Sequence, residues 1–300
     1  MAKKKRFTRQ VLDRFQKEGR GTGAHKRYIP WHRVSKSDPS SRGRSHLIVW
    51  QGRQIELLSD LEWVASCFAM MTPHLVDIRE QFPLAIDDAR HELGEYEVTV
   101  PTLPLLPGTR DLAETLNVKH PMLHDEGLRV EWRMTTDLLL TLGMPNGAHE
   151  LLAVACKYDS ELQRRRTLEK LKIEAAYWAA RDVRWLLVSP SLYHELVALT
   201  LRRTIAWSSP ADATAEQRKV AVNLARRSEG RSLTDTLLRI AAQLGDMTTA
   251  QHAFWQATWR GELPLDLRRG WRPHLPITLL DDEGFLALNP IASRRTSWIS

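Results

Sequence analysis

The sequence predicts an α/β chain in two parts, a mixed-sheet domain followed by an α-rich, winged-helix-like module. Three observations predict it. LLAVACK (151–157) and VRWLLVS (183–189) are apolar runs of strand length. Between them, residues 164–181 place Leu168, Leu171, Ala175 and Trp178 on one helical stripe, so strand, helix and strand form a βαβ unit. From about Pro190 the pattern changes to capped helices with short connections. A length of 300 residues fits about two domains at roughly 150 residues each, and 43% hydrophobic residues suffice for ordinary cores.

Four segments follow: a basic arm (1–46), the mixed-sheet domain (47–189), the helical module (190–281) and a tail (282–300). The arm carries fourteen Lys or Arg against Asp13, Glu18 and Asp38, a net of +11, while the whole chain is only +7. Such a segment suits phosphate neutralisation, with Lys3, Lys4, Lys5, Arg20, Arg42 and Arg44 as candidate DNA contacts. A solubilising tail is the alternative, although the aromatic residues of YIPWH favour an ordered segment packed on a surface.

No apolar run approaches the roughly 18 residues of a membrane span. MAKKKRFTRQ lacks the apolar stretch of a secretory signal, so the expectation is a cytoplasmic protein without membrane partners. Cys67 and Cys156 form no C-x-x-C pair and read as core residues of a reducing compartment.

Within the mixed-sheet domain, Ser59 begins a helix of roughly twelve residues that ends before Pro73, and Ser59 with Glu62 matches an S-x-x-E capping box. DIREQFPL reads as a strand ending in a turn, followed by the Pro-rich VPTLPLLPG. Arg110–Leu116 reads as a short helix capped by Thr109. RVEWRM and DLLLTL resemble a hairpin, and GMPNGAHE is a turn region leading into LLAVACK. In the helical module, ATAEQRKVAVNLARRS, SLTDTLLRIAAQLG and MTTAQHAFWQATWRG each open on a Ser/Thr cap signal. ELPLDL and LPITLL then read as two strands around a basic tip, RRGWRPH, so Arg268 and Arg269 are candidate DNA contacts on a wing. Many winged helices bind protein instead. The tail, with Arg294, Arg295 and Trp298, reads either as a docking peptide or as a disordered end.

Glu62, Asp137 and Lys157 together resemble a nuclease site. Asp137 falls on one strand and Lys157 at the end of another, twenty residues on. Two carboxylates suit a hard cation such as Mg²⁺, with Mn²⁺ as a substitute, and a nearby ammonium supports the attacking water or the charge building on phosphate. For Glu62 the helix-capping role is the competing reading.

KEGRGTG, YIPW, SSRGRSH, LLSDLE, DIREQFPL, KHPM, TTD, the lysine of VACK and RTLEKLKIEAAYW occur in one order over most of residues 17–180. In these strings the chain resembles the TnsA family, the endonuclease subunit of heteromeric bacterial transposases. The resemblance implies a catalytic domain similar to type II restriction endonucleases and a winged-helix-like C-terminal domain. It implies cleavage of the 5′ ends of a transposon in bacterial double-stranded DNA, while an integrase-type partner transposase cuts and joins the 3′ ends. An AAA+ ATPase regulator is the further expected partner, engaged by the C-terminal part.

Carried over by matching strings, the resemblance assigns the acidic pair to Glu62 and Asp137, the lysine to Lys157 and a further acid to Glu174. For Glu174 an ion pair with Lys170 is the alternative. One departure stands out: the slot two residues before the lysine, usually Glu or Gln, is Ala155, which cannot ligate a metal. The backbone carbonyl of Cys156 remains a possible metal ligand. A stand-alone restriction or repair nuclease, and a catalytically decayed DNA-binding adaptor, are the competing functions.

Overall fold

The computed structural model describes residues 7–36, 38, 44–97, 104–208 and 213–299. Among them α1 (Arg9–Lys17) is followed by the hairpin β1 (His46–Trp50) and β2 (Arg53–Leu57), then α2 (Asp60–Met70) and β3 (Leu75–Pro83). Next come α3 (Thr109–Thr115), β4 (Met122–Asp125), β5 (Leu128–Glu131), β6 (Thr135–Gly143) and β7 (His149–Cys156). α4 (Arg165–Ala179) then leads into β8 (Arg184–Val188).

The main sheet has the order β3-β6-β7-β8. Its first two pairings are antiparallel and β7 pairs with β8 in parallel, so the sheet is mixed as expected. A parallel pair cannot be closed by a tight turn, and α4 supplies the crossover. Side chains alternate faces with period two. Leu138 and Leu140 therefore join Leu61, Val64 and Phe68 of α2 on one face, while Leu139 joins Ile173, Tyr177 and Trp178 of α4 on the other. β7 is buried on both faces, which explains its unbroken apolar run.

Two local expectations are corrected. RVE does not pair with DLLLTL; it forms β5 and pairs with β4, while DLLLTL lies in β6 between β3 and β7. The turn at Glu126 and Gly127 has φ of 47° and 85°, a two-residue connection of positive φ that the pair Glu-Gly signals weakly. The cap of α3 is Gly108 and not Thr109, whose hydroxyl instead meets His120 Nε2 at 3.0 Å.

Much of the arm is folded. Thr8 caps α1, and Leu12 and Phe15 bury against Trp31 in a small core of their own.

The C-terminal part contains four longer helices, α5 (Glu195–Ser208), α6 (Ala215–Arg227), α7 (Leu233–Leu244) and α8 (Met247–Trp259), one more than the three capped segments indicated. Thr214 and Ser232 are caps as expected, but α8 is capped by Asp246. α8 is buried on all sides from Ala253 to Trp259, Gln256 and Thr258 included, and forms the module's centre. One hydrophobic cluster runs from α2 through α5 to Phe254 and Trp259, so packing is continuous across residue 190.

The expected two-stranded wing is absent among the described residues. ELPLDL and LPITLL meet only in the isolated bridge Leu265↔Leu279, because Pro264 and Pro276 cannot donate to a ladder. The tail is likewise not free. After α9 (Asp282–Ala287), Asn289 donates to Phe68 O at 2.8 Å and Ile291 is buried. Ser297 N–H then donates to Leu187 O at 2.8 Å, and Leu187 N–H to Thr296 Oγ1 at 3.0 Å, along the outer side of β8. Trp298 packs edge-on against Trp185 at 5.4 Å. Among the described residues no helix is long and apolar enough to cross a membrane.

Candidate active site

The β6–β7 hairpin turns through residues 143–149 and returns Lys157 to the start of β6. That return explains how twenty residues of separation become contact: Lys157 Nζ donates to Asp137 Oδ2 at 3.0 Å and to Cys156 O at 2.7 Å. The N–H of Cys156 donates to the same Asp137 oxygen at 2.7 Å. Glu62 arrives from the first turn of α2. Its Oε1 accepts from the Ser59 hydroxyl at 3.0 Å, and its Oε2 accepts from Leu58 N–H at 2.8 Å. Ser59 caps the helix by accepting from Glu62 N–H at 3.2 Å, but the reciprocal half of the expected box is displaced, since the carboxylate takes the N–H of Leu58 and not of Ser59.

Gln81, which sequence reasoning missed, joins the two acids. Its Nε2 donates to Glu62 Oε2 at 3.1 Å and to Asp137 Oδ1 at 3.4 Å. Glu62, Asp137 and Lys157 are thus brought into one hydrogen-bonded chain, as their strings suggested. Glu174 approaches from α4 with only 5% of its surface exposed, and its Oε1 accepts from Thr136 Oγ1 at 2.9 Å and Trp185 Nε1 at 3.2 Å. A surface ion pair with Lys170 does not describe this buried acid.

The electrostatics follow from burial. Desolvation, then the charge of Asp137, raises the carboxyl of Glu62 from 4.5 to about 7 against the pull of Leu58, Ser59 and Lys157. The same two causes raise Glu174 to about 7. Burial alone would lower Lys157, but the charges of Asp137 and Glu174 outweigh it and hold the ammonium above the ordinary lysine range. Three acids therefore share one lysine, leaving negative charge that a cation could offset.

No group of three or more His, Cys, Asp or Glu with metal-site spacing occurs among the described residues. The donors that could hold a cation are the carboxylates of Glu62 and Asp137 and the carbonyl of Cys156, all hard oxygens suited to Mg²⁺ or Mn²⁺. Ala155 supplies nothing, since it is fully buried with Leu171 and Leu187. Burial keeps the Cys156 thiol protonated, well above its ordinary range.

The expected DNA contacts fare unevenly. Lys3, Lys4, Lys5 and Arg42 lie outside the described residues. Arg20 is a correction: it is 6% exposed, stacks over Phe15 at 3.8 Å and pairs with Asp38 at 3.0 Å, so its charge is spent inside the fold. Arg44 is exposed and lies 3.4 Å from Asp60, two residues before Glu62 at the start of α2. Arg268 and Arg269 sit on a 3₁₀ turn and not on a wing, and Arg268 pairs with Asp266 at 2.8 Å.

Residues 72–190 match the family described as TnsA-like endonuclease N terminal, a stretch that holds Gln81, Asp137, Lys157 and Glu174 but not Glu62. The chain is also 34% identical over 203 residues to the Transposon Tn7 transposition protein TnsA of Escherichia coli. That alignment covers 67% of this chain and spans 63% of the relative's own length. By these matches, the chain belongs to the TnsA family.

Proposed function

We propose that this chain is the DNA endonuclease subunit of a heteromeric transposase, hydrolysing the 5′ ends of a transposon with a divalent cation. The observation that carries the reading is the joined set of Glu62, Asp137 and Lys157, assembled in and beside the family-matched segment. Mg²⁺ held by Glu62, Asp137 and the Cys156 carbonyl would polarise the scissile phosphate and acidify a water. Asp137 also orients Lys157 through their direct hydrogen bond. The ammonium, kept charged, would orient the nucleophile and stabilise negative charge growing on phosphate. As Glu62 and Glu174 ionise above about pH 7, the excess of carboxylates over one lysine favours a cation. Products would be a 5′ phosphate and a 3′ hydroxyl.

We assign Arg44 a contact with the DNA backbone, supported by its exposure beside the first turn of α2. We assign end recognition to an integrase-type partner transposase and regulation to an AAA+ ATPase, so the chain alone would cleave little. The restriction-endonuclease-like reading of the sheet domain rests on its mixed sheet with the acids and lysine at one end. A winged-helix-like reading of the C-terminal part retains the support of its helices only.

The test is strand mapping. Transposon-end DNA, labelled on each strand in turn, is incubated with the chain, its partner transposase, the ATPase and Mg²⁺. Cuts at the 5′ ends that require this chain and the cation support the assignment. Equal cutting of unrelated duplex by the chain alone would favour a self-sufficient nuclease.

A further inference from the structure

We propose that Gln81 is a positioning residue of the site: its carboxamide spans Glu62 and Asp137 and sets the separation at which the two carboxylates are held. The inference rests on reading Glu62 and Asp137 as the cation-binding pair. Gln81 is 4% exposed, and both oxygens it meets belong to carboxylates. The NH₂ end of the amide faces both oxygens, as a donor to the acceptors that ionised carboxylates present. A neutral double donor is a specific solution here. An Arg or Lys would hold the pair but bring a charge that competes with a cation. A Leu would remove the only group among the described residues that bonds both carboxylates, leaving Glu62 Oε2 with Leu58 N–H alone and Asp137 Oδ1 without the bridge.

The backbone supports the same conclusion. Gln81 has φ of +48°, in the left-handed region that side chains disfavour. Glu80 and Phe82 still pair with Leu138 and Thr136, so the kink is confined to one residue, opposite Asp137. β3 is an edge strand, which leaves some of its carbonyls for other partners. The N-terminal segment takes them: Tyr28 Oη donates to Glu80 O at 2.9 Å, and Trp31 N–H donates to Gln81 O at 3.3 Å. Gly21, at φ of +78°, passes so close to the Pro83 ring that a Cβ there would collide with it. The folded part of the basic arm thus grips residues 80–83 from outside and turns Gln81 inward. Unlike the positive-φ residues of turns, Gln81 lies inside a strand, and its surroundings hold the strain that aims its side chain at the two acids.

The test measures Mn²⁺ binding to the full chain by its EPR spectrum, beside the melting temperature without metal. Gln81→Leu should weaken Mn²⁺ binding about 10–100-fold, the range for residues that orient metal ligands. Gln81→Gly suits the positive φ and lacks the amide. It should melt no lower than the native protein and lose as much affinity. A merely structural Gln81 would move melting and leave the Mn²⁺ spectrum and affinity of the Gly variant unchanged, which overturns the inference. Asp137→Ala separates the two layers. If it abolishes binding while both Gln81 variants bind within about threefold of native, the positioning role fails and the site survives. If it binds Mn²⁺ normally, the underlying site reading fails, and the positioning role with it.

Discussion

Replacing Glu174 with Gln removes a buried negative charge and little else, because the amide oxygen can still accept from Thr136 Oγ1 and Trp185 Nε1. The folded carboxyl sits at about 7 instead of 4.5. A raised carboxyl means that the folded state binds the proton more tightly than the unfolded chain. Stability is then full below the unfolded value, falls as pH rises through that window and is lowest above the folded value. The shift corresponds to a cost on the order of 3 kcal/mol at about pH 8, which Gln does not incur. With roughly 2–4 °C per kcal/mol for a domain of this size, Glu174→Gln should melt about 5–10 °C higher than native at about pH 8. The gap should shrink several-fold by about pH 5, which lies near the unfolded carboxyl's midpoint and well below the folded value. Melts in a chelator at the two pH values measure it. A gap independent of pH, or a variant less stable than native at the higher pH, would refute the reasoning. In the reconstituted assembly the same variant should cut more slowly, since its charge helps hold Lys157 ionised.

Lys157→Ala should lower the cleavage rate far more than Mn²⁺ or DNA affinity, and Lys157→Arg should not restore it, because a planar fork differs from a compact ammonium; single-turnover kinetics with binding titrations separate these effects. Arg20→Ala should destabilise the fold by about 3–5 kcal/mol, because it strands the buried Asp38. Denaturant melts read that loss, and a variant of native stability but weaker DNA binding would contradict the burial argument. Trp298→Ala should cost about 1 kcal/mol through its contact with Trp185. Native melting combined with lost ATPase binding would make the tail an anchor and not a cover for β8.

What the sequence made legible depended on how local its causes were. LLAVACK revealed a central strand because burial on both faces leaves an unbroken apolar run. Asp137 and Lys157 could be paired because a single hairpin joins them. Glu62 carried a cap signal and a candidate site role at once: its N–H donates to Ser59 Oγ, while its carboxylate meets Gln81. Gln81 was illegible: its kink is held by Tyr28 and Trp31, some fifty residues away in sequence. Arg20 was misread for a similar reason, since Asp38 and Phe15 enclose its charge. The wing failed because apolar patterning at 263–267 and 275–280 outweighed the prolines that interrupt the ladder.

The central claim is that Asp137 belongs to a cation-dependent centre that cuts the 5′ strand. The most direct measurement compares native protein and Asp137→Ala in the reconstituted assembly, scoring both strands of labelled transposon ends with Mg²⁺. The account predicts loss of 5′ cutting, with melting temperature and partner binding preserved and 3′ cutting and joining intact. Normal 5′ cutting by the Asp137→Ala variant would contradict it.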